Sequence, residues 1–208
     1  MIIKEETNIL FKDLDEHRRL NIVSEHFDFF QWDGDWVIED FESELSKEGL
    51  FDMKVEWTGF DTQGDGASFT GRVELAEFFE YHRNNFGFEF TRDGGGEWGA
   101  NLLEELGNTP KFLIRDAIED GIITCSIDRL SSRYSHHNTV AFIVDREYLP
   151  ESCEPEIDRF ITCLEEYGEE WLERKCIDLY SRLEKAWEAE HKYLYDELMN
   201  DTENTYTP

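Results

Sequence analysis

The chain has 208 residues, 39% of them apolar and 14% aromatic, enough for a packed core and too many for wholesale disorder. Its 49 acids outnumber its 20 bases, giving a net charge of −29. The stretches 1–50, 51–144 and 145–208 are each net negative, so the field repels nucleic acid and anionic membranes and attracts basic partners.

Residues 1–30 read as one or two short helices. In "DGDWVIEDFESELSKEGL", Val37, Phe41 and Leu45 recur at helical spacing. Asp33 and Asp35 sit at the N-terminal end, and Gly49 supplies a stop. The period then changes to two. Phe51, Met53, Val55 and Trp57 alternate with Asp52, Lys54, Glu56 and Thr58, predicting a strand with one buried face. "ASFTGRV" repeats the pattern, with Ala67, Phe69, Gly71 and Val73 on the inner side, and the two strands are expected to pair antiparallel. A helix follows with Leu75, Phe78, Phe79 and His82 as its inner stripe.

"TRDGGGEWG" reads as a loop, and short helices are expected near 100–106 and 110–119, the second capped by Thr109 with Pro110 at its first position. "IITCSIDRL" and "TVAFIVD" form a second strand pair joined by "SSRYSHHN". From about residue 155 the chain is helical, with Leu172, Cys176, Leu179, Leu183, Trp187, Leu194 and Leu198 on one stripe, and "DTENTYTP" reads as a frayed tail. The expected fold is α+β: a four-stranded, mainly antiparallel sheet with helices over one face. Residues 1–150 would form that domain, and 151–208 an acidic helical segment docked on it or extending from it.

"GFDTQGDGASFTG" invites comparison with phosphate-binding loops. Those lead from a strand into a helix, whereas Gly64 and Gly66 lead into another strand, no Lys-Ser/Thr pair follows, and Asp65 would repel phosphate. The stretch is a hairpin tip. A second constellation, Arg129, Arg133, Tyr134, His136 and His137, is the densest set of donors in the chain. If both turns lie at one end of the sheet, it approaches Gln63 and Asp65, which would suit an anionic ligand or acid–base work. The alternative is structural: the arginines pair with local acids and one histidine hydrogen-bonds across the hairpin. In an extended chain His136 and His137 would point to opposite sides and share no metal. Neither a metal site nor a cofactor is expected. Cys125, Cys153, Cys163 and Cys176 show no CxxC pair or zinc spacing and are expected to be reduced.

The third candidate is the acidic helix. Glu165, Glu166, Glu169, Glu170 and Glu173 lie within eight helical steps, about 12 Å at ~1.5 Å per residue. Duplex DNA carries one charge per ~1.7 Å, a density within a factor of two. Glu170–Arg174, Asp178–Arg182 and Glu188–Lys192 have the spacing and order of ordinary surface pairs, so a solvated face is the alternative.

At "GFDTQGDGASFTG", "RYSHHNTV" and "LYSRLEKAWEAEHKYL" the chain resembles a family of small bacteriophage and prophage proteins, some labelled antitoxin-like. Gln63, Gly64, Asp65, Gly66, Ala67, Phe69, Gly71, Arg133, Tyr134 and His136 occupy the motif positions. The chain departs from the pattern at Asp61-Thr62 and in the glycine-rich 92–99. The resemblance implies a phage setting and hence the host cytoplasm. The expectation is a non-enzymatic protein that inhibits a host protein, of the antiviral-defence class, by presenting an acidic face to a basic nucleic-acid-binding surface. Direct nucleic-acid and membrane binding are not expected. The alternatives are a small anionic ligand held between the hairpin loops by Gln63, Asp65, Arg129, Arg133, Tyr134 and His136, or an antitoxin-like protein that associates, for instance as a homodimer, through its C-terminal helix.

Overall fold

The computed structural model describes residues 8–26, 32, 34–60, 64–85, 118, 120–131, 133–146 and 154–206. The chain divides into two compact units, one of residues 38–181 and one of residues 1–37 and 182–208.

The larger unit holds β2 (Leu50–Thr58), β3 (Gly66–Val73), α3 (Leu75–Asn85), β4 (Ile123–Arg129) and β5 (Val140–Arg146). It also holds most of α2 (Asp35–Lys47) and the first part of α4 (Glu154–Asn200). The strands form one antiparallel sheet in the order β2-β3-β4-β5, so the α+β architecture with a long C-terminal helix is the observed one. One sheet face carries Phe69, Val73, Cys125, Ile127, Val140 and Phe142, all buried, and receives Phe41 of α2, Phe78 of α3 and Trp171 of α4. Burying each large apolar side chain there contributes about 1.5–3 kcal/mol. Leu75, Phe78 and His82 are buried as the helical stripe predicts.

Between α2 and β2, Gly49 takes φ +87°, and its carbonyl accepts from Glu74 N–H at 2.7 Å, joining the α2 stop to the α3 start. The alternation in β2 fails at its beginning. The register with β3 slips between Phe51 and Lys54, and Asp52 takes φ 52°. This bulge rotates the strand, so Phe51 is exposed while Leu50 is buried.

The smaller unit is built on β1 (Ile9–Leu10) and β6 (Thr205–Tyr206), which pair antiparallel. Phe11, Leu14, Ile22 and Val23, the last two on α1 (Glu16–His26), pack with Leu198, Leu194 and Tyr195 of α4. The tail is therefore not frayed up to Tyr206. Asp201 accepts the N–H groups of Glu203 (2.8 Å) and Asn204 (3.2 Å), turning the chain so that Tyr206 meets Phe11 edge-on at 5.9 Å. The helix expected at 100–106, the helix expected at 110–119 apart from the helical Ile118, and the glycine-rich loop lie outside the described residues.

Candidate functional site

The two hairpin turns lie at one end of the sheet and meet, the condition on which the sequence reading made their approach depend. A Cβ on Gly66 would stand 2.6 Å from Ser135 O and 3.1 Å from His136 Cδ2. Gly64, at φ +118°, faces the Tyr134 ring. The glycines of "QGDGA" are thus shaped by the "RYSH" segment lying against them. Gln63 lies outside the described residues.

The donors of this cluster are largely engaged in holding the turn. Arg129 forms an ion pair with Glu56 and donates to Ser68 Oγ at 3.4 Å. A hydrogen bond from Lys54, assisted by Arg129, holds the Glu56 carboxyl below its ordinary range despite partial burial. His136 Nδ1 accepts from Asn138 N–H at 3.3 Å, and His136 N–H donates to Thr139 Oγ1 at 3.1 Å. Together these bonds form a capping box at the start of the short 3-10 turn His137–Thr139. Arg133 lies over the Tyr134 ring at 5.2 Å, both side chains exposed. His136 and His137 do not diverge. Because His137 begins a helical turn instead of continuing an extended strand, their rings lie 4.0 Å apart. No group of three metal-ligating side chains occurs among the described residues.

The five glutamates of α4 have a different setting. Gly168 lets α4 down onto β5, since a methyl group there would overlap the Phe142 ring. The helix consequently runs along β5, and Glu165, Glu166, Glu169, Glu170 and Glu173 form one wall of an open groove of about 820 Å³. Leu130, His137, Asn138, Val140 and Ala141 form the other. Glu170 pairs with Arg174, and Glu173 lies 3.7 Å from His137 Nε2. No basic side chain among the described residues pairs with Glu165, Glu166 or Glu169. Partial burial, then the charges of Glu169 and Glu166, push the Glu165 carboxyl above its ordinary range. The His137 imidazole is pushed down by burial and by His136, against the opposing pull of Glu173. The groove is therefore an electronegative trough in which like charges crowd one another.

A model of a protein family described as a domain of unknown function (DUF8835) matches residues 32–197. The chain belongs to this family. The family span takes in both hairpins and the whole carboxylate wall. No curated protein and no solved structure matches the chain.

One polar cluster escapes sequence reading. Glu48, only 1% exposed, accepts from Trp171 Nε1 at 3.0 Å and from Lys175 Nζ, and His82 Nε2 lies 3.4 Å away. Trp171 and Lys175 are one helical turn apart on α4, and Glu48 follows the last turn of α2, so the cluster ties three helices together. The spacing of Tyr167, Trp171 and Lys175 is visible in the sequence, but nothing in it names Glu48 as their shared acceptor. His82 and Trp171 pack against Phe78, and Trp171 also meets Phe142, which is the setting of a structural network.

Proposed function

We propose that this chain is a non-enzymatic acidic binding protein that inhibits a host protein by occupying its basic, nucleic-acid-binding surface. The observation that carries this reading is the trough along α4, where Glu165, Glu166 and Glu169 stand together without a cationic neighbour among the described residues. A folded protein that keeps like charges crowded bears a repulsion that a cationic partner would relieve. The phage setting and the antiviral-defence class of the target rest on the resemblance of the "QGDGA" and "RYSHHNTV" strings. No helix among the described residues is long and apolar enough to cross a membrane, consistent with action on a dissolved partner.

The test is capture from a bacterial host lysate on the immobilised chain and on its E165Q/E166Q/E169Q variant, at rising salt. A protein should be retained by the native chain, released as ionic strength rises, and missed by the variant. The captured protein should also lose its grip on nucleic acid when the chain is added. Capture indifferent to salt and to the three substitutions would overturn the reading.

A further inference from the structure

The two outer strands of the sheet are finished differently. β2 carries a bulge, a residue at positive φ, and the charged Asp52, Lys54 and Glu56, all devices that discourage another strand from pairing. β5 has none of these between Val140 and Val144, a run of uncharged residues that keeps unbroken register with β4 over Ile123↔Arg146 to Arg129↔Val140.

The direction of its backbone groups follows from the ladder. Leu130 N–H donates to Thr139 O at 2.8 Å, and this pair continues the Arg129↔Val140 register. Hydrogen bonds in an antiparallel ladder fall on alternate pairs. Ala141 and Ile143 therefore turn their N–H and C=O groups toward β4, and Phe142 and Val144 turn theirs outward. Val140 N–H is taken by His137 O. Among the described residues no strand pairs with this outer edge.

The carboxylate wall faces the start of this edge at His137, Val140 and Ala141, Gly168 of the same helix lies against Phe142 further along, and the spacings match. Glu165, Glu169 and Glu173 repeat every four helical residues, about 6 Å at ~1.5 Å each. Alternate side chains of a strand repeat every ~6.6 Å at ~3.3 Å per residue. We infer that β5 is the docking edge for an extended cationic segment of a partner protein, added as a strand with Lys or Arg at every second residue facing Glu165, Glu169 and Glu173. The inference rests on the partner-binding reading above and adds the backbone mode and sequence pattern of the segment recognised. Pairing of two copies through β5 is opposed by the −29 charge of each.

The probe is a fluorescein-labelled peptide of about eight residues, an ordinary strand length, alternating Lys and Thr. Two further versions are N-methylated at all Lys or at all Thr positions, because only one of these sets can turn its N–H groups toward β5. The parent peptide should bind, and one methylated version should lose at least about tenfold in affinity, equivalent to ~1.4 kcal/mol, while the other holds. Amide exchange at Phe142 and Val144 should slow on binding, and E165Q/E169Q/E173Q should weaken all versions that bind. Equal binding by all three peptides would overturn strand addition and leave the charge-based reading standing. Binding by none would overturn this inference, while the lysate capture decides the broader reading separately. Dimers with Phe142 and Val144 already protected in the absence of peptide would overturn it as well.

Discussion

The Tyr167 hydroxyl lies 2.6 Å from His82 Nδ1, and the opposite ring nitrogen of that histidine faces the buried Glu48 carboxylate. A proton on Nε2 suits the carboxylate, which leaves Nδ1 to accept from the tyrosine. The chain of contacts thus runs from α4 through α3 to the end of α2 and back to α4 at Trp171 and Lys175.

Removing the shared acceptor strands its donors. Glu48→Ala should lower unfolding free energy by about 3 kcal/mol, the low end for breaking a buried pair because Lys175 retains some access to water. Glu48→Gln should cost less. Urea denaturation followed by tryptophan fluorescence measures both.

The same network makes stability depend on pH. Burial pushes the His82 imidazole below its ordinary value of 6.5, against a partial opposing pull from Glu48. The unfolded chain therefore takes up this proton at higher pH than the folded one. The stability contributed by neutral His82 is complete above about 6.5 and is lost as pH falls through and below it. Burial raises the Glu48 carboxyl, but hydrogen bonds from His82, Lys175 and Trp171 outweigh it and leave the group lowered. Its contribution is present above the ordinary 4.5 and is lost as pH falls toward the folded value. Melting temperatures between pH 8 and 4 should decline, and His82→Gln should flatten the upper part of the decline.

Gly66→Ala should destabilise by about 1–3 kcal/mol, the usual range for forcing atoms into a packed site, because Ser135 O lies where the new carbon must go. The chemical shifts of Tyr134 to His136 should move with it. If the substitution is neutral, the packing of the two turns is not what requires glycine there.

Thiol reactivity should divide the cysteines by burial. Cys176 is pushed up to about 12 by burial, and Cys125 is raised by burial and by Asp145. Cys163 is only half-buried. Iodoacetamide labelling of the folded chain with peptide mapping should modify Cys163 ahead of Cys125 and Cys176, and in urea all three should react.

The strands and helices that position the groove were readable because apolar spacing changes period at Phe51 and again at Leu75. The meeting of the two turns was conditional on their lying at one end of the sheet, which alternation within each strand does not decide, although the glycines that fit it stand in the motif. Phe51 was misplaced because a bulge adds a residue that alternation does not reveal. The pairing of Thr205–Tyr206 was missed because two-residue strands carry no period. Glu48 was invisible for another reason: a glutamate at a helix end ordinarily faces water, and its burial depends on Trp171, more than a hundred residues away. The five glutamates were visible in the sequence as a run of charge along one helix, but the opposite wall supplied by β5 and His137 comes only from the close approach at Gly168.

Ile9 and Tyr206 are directly opposed in an antiparallel pair, so both stand at the same end of their ladder. Force applied at these two residues would peel the ladder one bond at a time instead of shearing it, the weaker loading geometry. The smaller unit would then be the mechanical fuse of the chain, and a fluorophore pair at these two positions would register its opening.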